Sequence, residues 1–218
     1  MSNATPRGPH DDQPVLFAGV PLEAAKAGAI CVHGRGADAR DILGLAGEID
    51  AGDVAFAAPD AADHTWYPYS FLAPIEHNEP GISSGLRVLH QLVARFDAAG
   101  IPARRILLLG FSQGACLALE YAARHAQRFG GIAGLSGGLI GPPGTSRWYE
   151  GSFNYTPVFL GCSDHDPHIP KERVEETAAV FKRMGATVTM RLYPELGHAV
   201  SEEELAIVAD MLASIRNT

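Results

Sequence analysis

Cysteine is scarce in this chain. Cys31, Cys116 and Cys162 stand far apart, without C-x-x-C spacing and each among apolar neighbours. An odd number spread in this way argues against a disulfide framework and against a zinc site, and it reads as three small buried hydrophobes. Basic residues are also few, 17 Lys and Arg against 25 Asp and Glu, for a formal net charge of -8. No local basic cluster offsets that balance, so nucleic acid is not an expected partner, because such affinity rests on neutralising phosphates. No apolar run approaches the length of a membrane span, and residues 1–14, polar with Pro and Gly, lack the apolar centre of a signal peptide. The expectation is a cytoplasmic protein without a membrane span.

What the chain does have is enough length and apolar content for a substantial core: 218 residues, 46% of them hydrophobic. One domain over residues 15–218, preceded by a mobile tail over 1–14, accounts for the composition. Short apolar runs at 15–18, 29–32, 54–57, 105–109, 131–135, 157–161 and 187–193 read as strands. Between them, helical spacing predicts helices over 39–49, 82–99, from 113 to about 128, 171–184 and 201–216. A brief helical turn is expected at 22–26. Asp38 is a plausible N-cap for the first of these helices, and Ser201-x-x-Glu204 has the capping-box pattern. Strands alternating with amphipathic helices predict an α/β fold, a mostly parallel central sheet with helices on both faces. Working groups in such sheets gather at the carboxyl ends of the strands.

The sharpest local signal is Leu107-Leu108-Leu109-Gly110-Phe111-Ser112-Gln113-Gly114, a strand that stops at a glycine-flanked serine and continues into an Ala/Leu-rich helix. The glycines permit a tight turn that lifts the Ser112 hydroxyl clear, and the helix start favours negative charge at the Gln113 amide. Serine needs a base to remove its proton, and that base needs an acid to orient it. His198, after a strand and Gly197, is the leading base. For the acid, Asp164 and Asp166 compete; Asp166 is preferred because Pro167 stiffens the chain behind it and leaves Asp164 free to cap the turn. A metal on His165 and His168 is set aside, since the ligand spacing and the intervening prolines suit no rigid cage.

A second glycine loop, His33-Gly34-Arg35-Gly36, follows an early strand. It can turn a backbone amide toward a developing oxyanion, and the donors expected are the amides of Arg35 and Gln113. His33 is read as a brace of that loop. The Arg35 side chain is read as solvent-exposed, with attraction of an anionic substrate group as the alternative. Residues 59–81 form the longest irregular stretch, with Trp66, Tyr67, Tyr69 and Phe71 either walling a substrate pocket or anchoring the loop on the core.

Gly110-Phe111-Ser112-Gln113-Gly114, His33-Gly34-x-Gly36, Asp166-Pro167-x-Ile169-Pro170 and Gly197-His198, in this order, resemble the phospholipase/carboxylesterase family of α/β-hydrolases, which includes bacterial carboxylesterases and acyl-protein thioesterases. The resemblance runs from about residue 29 onward. It implies Ser112, Asp166 and His198 as catalytic triad, Arg35 and Gln113 as oxyanion donors, no cofactor and no metal, a small-molecule ester substrate, and often a homodimer. Thioesters and lysophospholipids fall within what the family cleaves. The chain departs from the family at Arg35, where a hydrophobic residue is common, and at Ala37, where an acidic one is common. Residues 66–81 look more like a bacterial branch than like the thioesterases proper. Without room for a separate cap domain, small or aryl esters are the expected substrates. The rivals are a same-fold lactone or peptide hydrolase, and a non-catalytic binding protein that retains the fold.

Overall fold

The computed structural model describes residues 7–47, 49 and 52–217. The apolar runs form seven strands: β1 (Val15–Gly19), β2 (Ala27–Val32), β3 (Val54–Pro59), β4 (Ile106–Phe111), β5 (Gly131–Leu135), β6 (Pro157–Ser163) and β7 (Thr187–Tyr193). They make one sheet in the order β1-β3-β2-β4-β5-β6-β7, with β1 antiparallel to β3 and every other pair parallel. Ile30 stands beside Leu108, Leu108 beside Ile132, and Ile132 beside Val158, so the sheet centre is a continuous apolar row.

Among the described residues five α-helices cover it: α1 (Ala39–Gly47), α2 (Gly81–Ala98), α3 (Gln113–Arg124), α4 (Lys171–Arg183) and α5 (Glu202–Arg216). The period-2 alternation of the strands decides which helix meets which side chain. Ile30, Ile106 and Leu108 share a cluster with Leu89 and Phe96 of α2, Leu117 of α3 and Phe181 of α4. Ala29, Cys31, Leu107 and Leu109 face the other way, toward Ile42 of α1 and Val208 and Leu212 of α5. All three cysteines are free and buried. No helix among the described residues is long and apolar enough to cross a membrane.

Caps follow local chemistry. Asp38 Oδ1 accepts the amides of Arg40 and Asp41 at 2.8 and 3.1 Å at the start of α1. Ser201 and Glu204 form the reciprocal capping box of α5. α2 and α4 end one residue short of their expected limits, at Ala98 and Arg183, and α3 falls further short. α3 stops at Arg124, since His125 leaves helical geometry (φ -123°, ψ 44°). α1 is described over Ala39–Gly47; residue 48 of the expected helix lies outside the described residues and Ile49 is not helical. The turn expected at 22–26 is a 3-10 turn over Leu22–Ala24.

The expected mobile tail meets a clear exception. Residues 1–6 lie outside the described part of the chain, but His10 is buried and tied to residues far away in sequence. Its Nε2 donates to the Trp66 carbonyl at 2.9 Å, its Nδ1 accepts the Ala62 amide at 3.1 Å, and its amide donates to Ser84 Oγ at 2.9 Å. Asp11 reinforces this dock through Arg87 at 3.2 Å. His33 mirrors the arrangement, since its Nδ1 donates to the Gly34 carbonyl and its Nε2 accepts the Ala61 amide at 3.1 Å. Both rings stand 5.1 Å from the Trp66 indole. A ring nitrogen that accepts an amide proton must be unprotonated, and burial lowers the pKa of both histidines. In the unfolded chain each protonates near the ordinary 6.5. The unfolded state therefore binds more protons as the pH falls through that value, and stability drops with it. Urea unfolding of the wild type is expected to shift to lower denaturant between pH 7.5 and 5.5. The shift should be smaller in His10→Gln; an equal shift in both would remove His10 from the account.

Candidate active site

Ser112 is the single residue between β4 and α3, with φ 54° and ψ -121°. That backbone costs a non-glycine residue about 1–3 kcal/mol and persists only where its surroundings impose it. Here the Ser112 amide donates to the Leu135 carbonyl at 2.9 Å, and its carbonyl accepts the Cys116 amide at 3.0 Å. The flanking glycines allow the approach. A Cβ on Gly114 would lie 2.2 Å from the Val32 carbonyl oxygen, and one on Gly110 would lie 2.5 Å from that of Gly114. Both obstacles are backbone, so neither side chain has anywhere to go.

The loops after β6 and β7 bring two further groups to this turn. Ser112 Oγ is 2.8 Å from His198 Nε2, and His198 Nδ1 is 2.8 Å from Asp166 Oδ2. An ionised carboxylate only accepts, so the ring proton sits on Nδ1, and Nε2 is left as acceptor for the serine hydroxyl. The Asp166 side chain is buried, which raises a carboxyl pKa, yet its pKa lies below the ordinary value. The hydrogen bond from His198 and the amides of His168 and Ile169, at 2.8 and 3.1 Å on Oδ1, outweigh the burial. The His198 ring lies 5.1 Å from Phe111 and 4.8 Å, edge-on, from His168.

Asp164 has other work. Its Oδ1 accepts the Glu195 amide at 3.0 Å and pairs with His165, which caps the turn leading to His198. Ser163 was not singled out from the sequence, because a serine at a strand end carries no pattern. Buried at the end of β6, its hydroxyl accepts the Gly197 amide at 3.1 Å and the His165 amide at 3.3 Å. It thereby holds together the two loops that carry His198 and Asp166. Among the described residues no group of three His, Cys, Asp or Glu is arranged to hold a metal ion.

Across the turn, β2 delivers His33-Gly34-Arg35-Gly36. Gln113 opens α3, where an amide has no carbonyl one turn below it. The Arg35 amide makes no backbone hydrogen bond among the described residues. The Arg35 side chain is solvent-exposed, as expected, and it stands at the cleft, but it is not idle there. Its guanidinium donates to the carbonyls of Pro68, Tyr67 and Tyr69 at 2.9, 2.8 and 2.7 Å.

Those carbonyls belong to the wall of a cleft of about 390 Å³ that opens beside Ser112 and His198. Of the four aromatic residues expected there, Tyr67, Tyr69 and Phe71 line it. Trp66 does not; it is wholly buried and its indole donates to the His33 carbonyl at 2.9 Å. The reason is packing, for the indole fills the space between His10, His33 and α2 and leaves no face for a ligand. The remaining apolar lining, Cys116 and Ile169, comes from α3 and the loop after β6. Burial pushes the Cys116 thiol up to about 12, which makes it inert as a nucleophile.

The sheet and its helices are those of the α/β-hydrolase fold. A phospholipase/carboxylesterase structure from Dyadobacter fermentans is 40% identical and superposes with a TM-score of 0.89, covering 93% of this chain and 97% of that one. The structure of esterase PE8 is 26% identical, with a TM-score of 0.76 over 93% of this chain and 98% of that one. Acyl-protein thioesterase 1 of Gibberella zeae is 32% identical over 134 residues, 57% of this chain and 54% of that protein. In this match the chain spans about half the length of its curated relative. The phospholipase/carboxylesterase family model matches residues 22–216, and the chain belongs to that family.

Proposed function

We propose that the protein is a serine hydrolase that cleaves carboxylic esters, thioesters included, through an acyl-enzyme. The observation that carries this reading is the unbroken hydrogen-bonded line from Ser112 Oγ through His198 to Asp166, 2.8 Å at each step. In this mechanism His198 Nε2 takes the hydroxyl proton as Oγ bonds to the ester carbonyl carbon, and the carbonyl electron pair moves onto oxygen. The amides of Arg35 and Gln113 hold that oxyanion. Collapse of the tetrahedral intermediate expels the alkoxide or thiolate, which leaves with the proton from His198. Water then repeats the sequence on the acyl-enzyme, releases the acid and restores Ser112. Asp166, kept ionised by its hydrogen bonds, stabilises the imidazolium formed in both halves.

The names of the relatives, acyl-protein thioesterase and carboxylesterase, support this class of reaction. Tyr67, Tyr69, Phe71, Cys116 and Ile169 give the cleft an apolar lining suited to the acyl or aryl group of a substrate. Its modest volume favours short acyl chains or single aromatic rings.

A fluorophosphonate probe is expected to label the wild type and not Ser112→Ala, read by in-gel fluorescence; labelling that survives the substitution would overturn the assignment. Asp166→Asn should lower kcat by about 10⁴-fold, the cost of losing the orienting carboxylate in comparable triads. Asp164→Asn, which disturbs a loop cap, should keep activity within about one order of magnitude. Among p-nitrophenyl esters, kcat/KM should be highest for acetate and butyrate and fall for acyl chains beyond about eight carbons, since the cleft buries few methylenes.

A further inference from the structure

The two amides proposed to hold the oxyanion belong to residues whose side chains converge on one carbonyl of the cleft wall. Tyr67 O accepts Arg35 Nη2 at 2.8 Å, Gln113 Nε2 at 2.8 Å and Thr65 Oγ1 at 3.0 Å. Gln113 Oε1 returns the contact by accepting the Trp66 amide at 2.9 Å. Arg35 adds Pro68 O and Tyr69 O, so its planar fork spans three successive carbonyls of the wall. A guanidinium offers several donors in a fixed plane, and charged donors make the stronger hydrogen bonds.

We propose that the Arg35 side chain is a positioning residue: with the Gln113 carboxamide it clamps the Tyr67 carbonyl, and so locks the two oxyanion-holding amides and the cleft wall into one rigid unit. The inference rests on the hydrolase reading given above. A wall free to move would carry Tyr67 and Tyr69 outward, widen the cleft for longer acyl groups, and let the 33–36 loop drift from the oxyanion. Arg35 blocks both movements through one side chain. Since the wall is held from both donors, selectivity for the acyl group and stabilisation of the oxyanion are coupled. Arg35 is exposed, the Pro68 and Tyr69 carbonyls it holds lie at the surface, and the buried Tyr67 carbonyl keeps Gln113 Nε2 and Thr65 Oγ1 as donors, so replacing Arg35 leaves no buried charge or unpaired carbonyl behind.

The test uses the full chain with Arg35→Met and Arg35→Lys, which both retain the residue 35 amide. Readouts are kcat and KM on p-nitrophenyl acetate and octanoate, inhibition by an aryl trifluoromethyl ketone, whose hemiketal oxygen seats as an oxyanion, and Tm. In Arg35→Met, kcat on the acetate should fall about tenfold and the ketone should weaken by a similar factor, while KM changes by less than about threefold. The octanoate-to-acetate ratio of kcat/KM should rise about fivefold as the wall loosens. Arg35→Lys should lie between wild type and Arg35→Met, because one ammonium cannot span three carbonyls. If Arg35→Met fails to fold, Arg35→Lys decides by whether its kcat on the acetate and its ketone affinity fall more than about twofold below wild type. Kinetics, ketone affinity and acyl ratio all within about twofold of wild type would overturn the proposal, whatever happens to Tm. An effect confined to the KM of esters bearing a carboxylate would also overturn it, and would make Arg35 an anion-binding residue. A wild type that hydrolyses none of these esters would instead remove the hydrolase reading itself.

Discussion

The structure depends on how closely the start of α3 presses on the end of β2. With no side chain at Gly114, the helix backbone comes within van der Waals contact of the Val32 and His33 carbonyls. That contact leaves one residue in which to turn from strand to helix. Ser112 takes a positive φ as a result, and its hydroxyl stands at the carboxyl edge of the sheet instead of inside it. The neighbouring strand β5 holds the strained residue from one side through the Leu135 carbonyl. The close contact also sets the distance between the 33–36 loop and the first amide of α3. The nucleophile position and the proposed oxyanion donors thus come from one packing event.

Around this turn, buried polar groups fix loops that apolar packing alone would leave free. Asn78, wholly buried, accepts the Tyr69 amide and donates to the Ser70 carbonyl. Gln113 does the same for Trp66 and Tyr67. On the other side of the cleft Arg173 donates to the Leu139 and Gly141 carbonyls, and the Gly141 amide donates to the Phe71 carbonyl at 2.7 Å. A buried carbonyl without a donor costs about 1–3 kcal/mol, so each such side chain has one favourable arrangement and the loop inherits it. Long irregular stretches become as well defined as the sheet, as a site that must hold reacting atoms to a fraction of an ångström requires.

Charge is distributed to the same end. The chain carries a net charge of -8, yet no carboxylate lines the cleft. Asp166 is sealed beneath His198 and answered by an imidazole proton and two amides. In the proposed mechanism a developing oxyanion at Ser112 would therefore meet amide donors and the positive end of α3 without an opposing charge in the cleft wall.

The amino-acid sequence by itself determined the alternation of strands and helices, the caps at Asp38 and Ser201, and the strand-end placement of Ser112, Asp166, His198 and the 33–36 loop. These are local properties: a period of 2 or 3.6, a glycine pair, a cap at fixed spacing. It preferred Asp166 to Asp164 with no contact to decide between them, left Trp66 open between cleft wall and core anchor, and gave no sign that residues 9–13 are docked or that the exposed Arg35 side chain holds three carbonyls. Those were decided by contacts between distant positions, such as Ser112 with His198, 86 residues apart, and His10 with Trp66, 56 apart. Ser163 escaped notice for the same reason, since its two acceptor bonds tie loops after different strands. Periodicity reports which face of an element is apolar, but a single hydrogen bond between loops leaves no periodic trace. Only the tertiary structure, by bringing seven strand ends to one sheet, decided which polar groups meet and which side chains hold the cleft in shape.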